Sequence, residues 1–416
     1  MTLRSDQLPS HRLDSQRLWS RLRELATIGA TAAGGLDRPS LSPLEAAARG
    51  KVIGWARAMG FAVAADPIGN LFFSLAGSEP SLPSVLAGSY LDSQPAGGKY
   101  SGAYGLLAAL EAMAAIASLG TPRRRPVVAV CWTNGEGSRF VPGFMGSEAF
   151  AKRRRLAEIS AVRDAAGCSV ADALEKFLQL QGPLMQIPLG FPCHAYIETH
   201  LEQGIVLEKN QKQIGAVTSV RGYRRFEVCV TGASGHVGTT PMAQRRDALQ
   251  TTVQIINALN RLFSAPDISF TVGELRVEPN APSVVPRQTV FSVDIRHHDN
   301  IVLSRLGDTV KLVCESEKGQ CDFRVTEVMS HPTIDFAPDM PARISAAAKR
   351  INLASMPLVS FGGHDAMIMH RACPSGIIFI PCKGGISHSE AESIEPGQAA
   401  DGARVLANVI WDLAQS

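Results

Sequence analysis

Pro126-Val127-Val128-Ala129-Val130-Cys131-Trp132 runs directly into Thr133-Asn134-Gly135-Glu136-Gly137-Ser138-Arg139-Phe140. Seven residues without a charge, rich in β-branched side chains, predict a strand buried on both faces. The Gly-rich polar stretch after it predicts a turn in which backbone can approach a ligand closely. Other short apolar runs, Leu71–Leu75, Ser84–Ser89 and His194–Thr199, have the same character. Helical stretches near Gly105–Ala117 and Ser147–Arg154 alternate with them. Continuous apolar strands separated by helices predict an α/β sheet covered on both sides.

Upstream, Leu18, Leu22, Leu25 and Ile28 recur at helical spacing until Gly29. Ser42-Pro43-Leu44-Glu45 is a capping box with proline at the first helical position, and it opens a helix that closes at Gly60. Near residue 214 the pattern changes. A strand region (Val217–Thr231), a helix (Asp247–Phe263), strands Ser269–Val277 and Thr289–Arg296, a helix (Leu303–Ser316) and a strand (Asp322–Val328) follow in the βαββαβ order of a ferredoxin-like unit. After about residue 331 the α/β style returns, with helix Ala342–Leu353, strand Gly376–Pro381 and a helix from Gln398 to Leu413. The expected organisation is therefore an α/β domain, 1–213 and 331–416, interrupted by a ferredoxin-like insert at 214–330.

A chain of 416 residues is long enough for two domains, and 45% apolar with 19% charged residues is a globular composition. The formal charge of +3 gives no ground for a nucleic-acid or anionic-membrane partner, and Arg123–Arg125 and Lys152–Arg155 read as solvated helix and turn ends. No run has the length of a membrane span, and the charged start at Arg4, Asp6, His11, Arg12 and Asp14 is unlike a secretory signal. The eight cysteines are scattered without a Cys-x-x-Cys pair, so reduced thiols in a cytoplasmic protein are expected.

Polar groups gather in a few Gly-rich turns and strand ends. They are Gly88-Ser89-Tyr90-Leu91-Asp92-Ser93 with Gly97–Gly102, the Asn134–Phe140 turn, Glu198-Thr199-His200-Leu201-Glu202-Gln203-Gly204, Gly362-Gly363-His364-Asp365 and Gly384-Gly385-Ile386-Ser387-His388. The insert adds Gly235-His236-Val237-Gly238-Thr239-Thr240-Pro241-Met242, Asn280-Ala281-Pro282 and Asp294-Ile295-Arg296. Solitary histidines such as His11, His194, His331 and His370 read as surface or satisfied core residues. His297 and His298 read as solvent-facing.

These motifs, in this order from about residue 15 onward, resemble the N-carbamoyl-L-amino acid hydrolase, β-ureidopropionase and allantoate amidohydrolase branch of the metal-dependent aminoacylase and carboxypeptidase superfamily. The resemblance implies a metallopeptidase-like α/β domain with a ferredoxin-like lid and dimerisation insert, and a cytoplasmic homodimer in which His236, Asn280 and Arg296 serve the partner's site. It also implies hydrolysis of a linear amide or ureido C–N bond in a small carboxylated substrate. In that branch two divalent ions polarise the scissile carbonyl and supply hydroxide, and a glutamate beside them moves protons. The metal-ligand positions that survive here are Glu136, His200 and His388. On the substrate side, His236 matches the oxyanion-stabilising histidine, and Arg296 with Asn280 matches the carboxylate grip. Gln203 stands in its motif, and Asp92 matches the residue that orients the first metal-binding histidine.

The departures are as specific as the matches. Tyr90 stands where that first histidine belongs, Ser101 replaces the bridging aspartate, and Gly135 occupies the place of the glutamate base. A neutral serine cannot hold two dications together, and glycine offers no proton acceptor. Three readings follow. One is an amidohydrolase with a single zinc or manganese ion on Glu136, His200 and His388, with Asp365 or metal-bound hydroxide as base. Another is a metal-free, inactive relative that binds a carboxylated ureido-type ligand. The third is a changed reaction in which Tyr90 is the acid or base. His364-Asp365 is expected to support the site from behind.

Overall fold

The computed structural model describes residues 8–416, so Arg4 and Asp6 of the charged N-terminus lie outside them. The chain forms two compact units, Met1–Thr218 with Phe336–Ser416, and Ser219–Asp335. In chain order the strands before the insert are β1 (Ala62–Ala65), β2 (Leu71–Leu75), β3 (Ser84–Tyr90), β4 (Val127–Trp132), β5 (Met185–Gln186), β6 (Cys193–Leu201) and β7 (Ile214–Val220). The next are β8 (Gly222–Thr231), β9 (Gly235–His236), β10 (Ser269–Thr271), β11 (Leu275–Glu278), β12 (Val284–Val285), β13 (Gln288–His297), β14 (Asp322–His331) and β15 (Ile334–Asp335). β16 (Ser355–Ser360) and β17 (Ser375–Ile380) complete the set.

In the first unit β4, β3, β6 and β17 lie side by side and parallel, and β2 and β1 extend the sheet antiparallel beyond β4. Every residue of β4 and of β17 is buried, as continuous apolar runs require. Helix Ser101–Ala117 is buried along almost its whole length, and with helices Ser15–Leu25, Pro43–Ala58, Asp339–Arg350 and Pro396–Gln415 it packs one large apolar core. A second cluster gathers Phe140, Met145, Ile159, Val170 and Phe177. The boundary falls later than the change of pattern at residue 214 because Gly215 and Ala216 of β7 pair with Phe379 and Ile378 of β17.

The capping box at Ser42 is present, with Ser42 Oγ accepting from the Glu45 amide at 3.2 Å. Glu45 also forms a wholly buried ion pair with Arg49, 2.8 Å apart. The Arg49 guanidinium reaches the Thr133 hydroxyl at 3.3 Å, so this pair braces the end of β4. The helix read at Ser147–Arg154 is shorter, Met145–Phe150, because Lys152 adopts a left-handed φ of 56° that α-helix cannot continue. The β1–β2 hairpin, helix Val170–Gln181 and edge strand β16 were not legible from periodicity.

In the second unit the order is β10-β13-β8-β14, with neighbours antiparallel and β11 also on β13. This is the ferredoxin-like order. Asp247 and Asp299 cap helices Ala248–Leu262 and Asn300–Glu317, each accepting from two backbone amides. Phe226, Val228, Ile255, Leu259, Phe291, Val293 and Val310 form their common core. The strand expected over Ser269–Val277 is two short ones, broken where Ser292 Oγ accepts from the Glu274 amide in place of a ladder bond.

Candidate functional site

Parallel strands bring their carboxyl ends to one edge, where an open α/β sheet binds its ligands. Tyr90 ends β3, the Asn134–Phe140 turn follows β4, His200 lies near the end of β6, and the Gly384–His388 turn follows β17. The structure thus draws Tyr90, Glu136, His200 and His388 together from segments far apart in the chain.

Tyr90 is the centre of this group. Its hydroxyl lies 3.0 Å from Glu136 Oε1 and 3.3 Å from His200 Nε2. His200 Nδ1 lies 3.0 Å from the Leu201 carbonyl, which assigns the ring proton to Nδ1 and leaves Nε2 as an acceptor. One hydroxyl proton therefore faces two acceptors. Burial, then the carboxylates of Glu136 and Glu198, push the Tyr90 phenol well above its ordinary range, so it stays protonated at neutral pH. Burial also lowers His200 to about 3, which keeps that ring neutral.

Space around the Tyr90 ring is supplied by two glycines. A Cβ at Gly135 would lie 2.3 Å from Tyr90 Cγ, and one at Gly102 would lie 2.3 Å from Tyr90 Cδ2. Any side chain at position 135 competes with the ring for the same volume.

Asp92 does not orient Tyr90. Its two oxygens accept from the backbone amides of Gly135 at 3.0 Å and Glu136 at 3.1 Å, so it fixes the turn after β4. Glu136 Oε2 accepts from Gln94 at 2.9 Å and lies 3.8 Å from His388 Nε2. Ser101 Oγ donates to Glu392 at 2.6 Å, and the same carboxylate accepts from the amides of Tyr100 and Ser101 and from Ser387 Oγ. Glu392 is 1% exposed, so these donors are what make its burial tolerable. Between these groups is a cavity of about 10 Å³, with Gln94, Lys99, Ser101, Glu136 and His388 in its lining. That is room for about one water.

His388 adopts φ 52°, a strained value for a residue with a side chain. Its Nε2 lies 3.3 Å from Gln203 Nε2, which also reaches Ser387 Oγ at 3.3 Å. Beneath His200, the His364 ring stands edge-on at 4.7 Å, and its Nδ1 is 3.8 Å from Glu198 Oε1. Asp365 accepts from Ser147 Oγ at 2.5 Å and is fully buried. Burial, then Glu198, push its carboxyl well above the usual range.

Within the second unit, His236 lies in the β9–β12 ladder opposite Val284, beside the turn that begins at Asn280 (φ 54°). His236 Nδ1 accepts from the Gly238 amide at 3.1 Å, which leaves Nε2–H as its donor. Arg296 forks onto Asp294 at 3.0 and 3.4 Å, and Arg225 shares that carboxylate at 2.9 Å. Two guanidiniums on one carboxylate leave a net positive charge, the kind of field that attracts an anion.

Residues 91–412 match the profile of peptidase family M20/M25/M40. The chain belongs to that family. It is 34% identical to an N-carbamoyl-L-amino-acid amidohydrolase of Rhizobium meliloti over 98% of both chains. It is 32% identical to an allantoate amidohydrolase of Bacillus subtilis, covering 94% of this chain and 95% of that protein. A crystal structure of an amidase of the hydantoinase/carbamoylase family from Burkholderia vietnamiensis superposes with a TM-score of 0.94 at 36% identity, covering 100% of each chain.

M20 enzymes usually use divalent metals, and the residues present here do not fit that role. Among the described residues no group of three or more His, Cys, Asp or Glu side chains is arranged to hold an ion. Glu136, His200 and His388 are near one another, but the Tyr90 hydroxyl stands between the first two. Ser101, expected at the place of a bridging carboxylate, is a hydroxyl donor to Glu392. Sequence reasoning missed Gln94, Glu198 and Glu392 as parts of this site. Glu392 lies four residues past His388 in the same turn, but nothing local indicates that it reaches back to Ser101.

Proposed function

We propose that the protein is an amidohydrolase-type M20 member that takes a small carboxylate-bearing ureido compound and acts on its linear amide C–N bond. The observation that carries this reading is the end-to-end match to an N-carbamoyl-L-amino-acid amidohydrolase, and His236, Asn280 and Arg296, read from the sequence as substrate-side residues, support it. In this reading Arg296, Asn280 and His236 are the second unit's substrate-side residues, the first two for the carboxylate and His236 Nε2–H for the carbonyl oxygen, offered to the partner's site, and Gln203 lines the cleft of the first unit. Glu136, beside a cavity of about one water's volume, is the carboxylate that can draw a proton from that water. Asp92 and Asp365 position these groups. A homodimer through the second unit is part of the proposal. The eight free cysteines support a reducing, cytoplasmic setting, and no helix among the described residues is long and apolar enough to cross a membrane.

Gly135 and Tyr90 favour a second reading, binding without turnover, because they remove a proton acceptor and fill its space. Calorimetry with N-carbamoyl-L-amino acids and with allantoate, paired with an ammonium-release assay, separates the two. Saturable binding with ammonium release establishes hydrolysis, and binding without release establishes the second reading. The absence of binding to either compound class defeats both.

A further inference from the structure

The misfit between this chain and the metals of its family follows from a small set of mutually adjusted residues. In place of an ion, the Tyr90 hydroxyl contacts Glu136 at 3.0 Å and His200 at 3.3 Å. Its ring lies where side chains at Gly135 and Gly102 would otherwise project. Glu392 needs hydrogen-bond donors, and Ser101 provides two of them, its amide at 3.1 Å and its hydroxyl at 2.6 Å. An aspartate at position 101 would instead set a second carboxylate against Glu392 in a buried place, which is unfavourable without a cation between them. The remaining cavity, about 10 Å³, has room for about one water beside Glu136 and Ser101.

We infer that the cleft is built to work without a divalent ion, with the Tyr90 side chain permanently occupying the ion's place between Glu136 and His200. Gly135 leaves the space that the ring fills, and Ser101 supplies donors to Glu392 without a cation. M20 enzymes usually use divalent metals. Here a phenol proton, a serine hydroxyl and Gln94 serve the carboxylates instead. Ligand recognition by this protein is accordingly indifferent to chelators, and any turnover comes from protein groups alone.

The test uses the full chain and metal alone, so its result stands apart from whether the cleft takes a ureido compound. After dialysis against zinc or manganese and removal of loose ions, elemental mass spectrometry should find well below one ion per wild-type chain. Calorimetric titration with zinc should show no saturable heat, and the melting temperature should not move with chelator. The Tyr90→His/Ser101→Asp/Gly135→Glu variant should gain zinc affinity by more than the roughly 10–100-fold that one supporting partner is worth in a metal site. Tyr90→His alone, which removes the phenol and puts an imidazole ligand in its place, should bind a single zinc more weakly than the triple variant, and it decides the matter if the triple variant fails to fold. A wild-type chain that retains one or two ions overturns the inference. So does a folded Tyr90→His or triple variant that binds none, because Tyr90 would then not be what excludes the ion.

Discussion

The Tyr90 ring and the α-carbon of Gly135 share one volume: a methyl group added at Gly135 would meet Tyr90 Cγ at 2.3 Å. Positions 90 and 135, read from the sequence as a lost metal ligand and a lost base, are thus in direct steric contact. Gly135→Glu alone should destabilise the protein by about 1–3 kcal/mol, the usual cost of overpacking. Tyr90→Ala, which removes Cγ and the ring, should recover part of that loss. Urea midpoints of the two single variants and the double variant form a cycle that measures the coupling. Additive effects would show that the ring and position 135 do not compete.

Removing only the hydroxyl tests the other half of the arrangement. Tyr90→Phe keeps the ring between Gly102 and Gly135 but leaves Glu136 Oε1 and His200 Nε2 without their shared partner. A loss of about 1–3 kcal/mol is expected, since buried acceptors lose their donor while the packing is retained. If Tyr90 is the acid or base of a changed reaction, the same variant should abolish turnover while ligand affinity stays nearly unchanged. A variant with full turnover removes that reading.

His200 predicts a particular acid sensitivity. Its imidazole is held at about 3 in the folded chain, against an ordinary value of 6.5. Between those values the unfolded chain binds a proton that the folded chain refuses, so stability falls as pH falls from about 6.5 towards 3. The slope from this group is at most about 1.4 kcal/mol per pH unit. His200→Gln should flatten the stability profile across that window, as read from denaturant midpoints at successive pH values. An unchanged slope would mean that His200 ionises freely.

Arg296 separates recognition from scaffold. Arg296→Ala should weaken binding of N-carbamoyl-L-amino acids by roughly 10–100-fold, the loss of a forked charge-assisted contact. Arg296→Lys should restore only part of it, because an ammonium lacks the planar fork. Calorimetric affinities for the three proteins give the comparison, and equal affinities would move the carboxylate grip elsewhere.

Breaking the buried Arg49–Glu45 pair is expected to cost about 3–5 kcal/mol in Arg49→Met, because Glu45 would remain as a buried, unpaired charge. Glu45→Gln/Arg49→Met should lose less. Chemical denaturation of both variants checks the ordering.

Much of the fold was legible because its signals are local. The uninterrupted apolar run Val127–Trp132 predicted a strand covered on both faces, and the succession of strand and helix stretches predicted the βαββαβ order of the insert. Strand β16 was not legible: its Met356 and Pro357 show no period, and it is held by pairing with β7. At the site, the family resemblance pointed to Glu136, His200, Gln203 and His388, and the three departures stood out against it as residue types. What spacing could not convey is that Tyr90 requires Gly135, or that Ser101 answers to Glu392. Those are contacts between distant segments, and they exist only in three dimensions. Asp92 shows the same limit, since its match suggested a partner side chain and its oxygens hold backbone amides instead.

Glu392 has a consequence for when the site comes into being. Helix Ser101–Ala117 begins at Tyr100 without a side-chain cap of its own, and the amides of Tyr100 and Ser101 are satisfied by this carboxylate. A carboxylate at a helix start also suits the helix dipole. The cap is supplied by a residue nearly three hundred positions further along the chain. During synthesis, which proceeds from the N-terminus, the sheet strands β3, β4 and β6 leave the ribosome long before Glu392 does. The nascent protein therefore carries an unfinished cleft until its last segment is released, and recognition becomes a property of the finished chain.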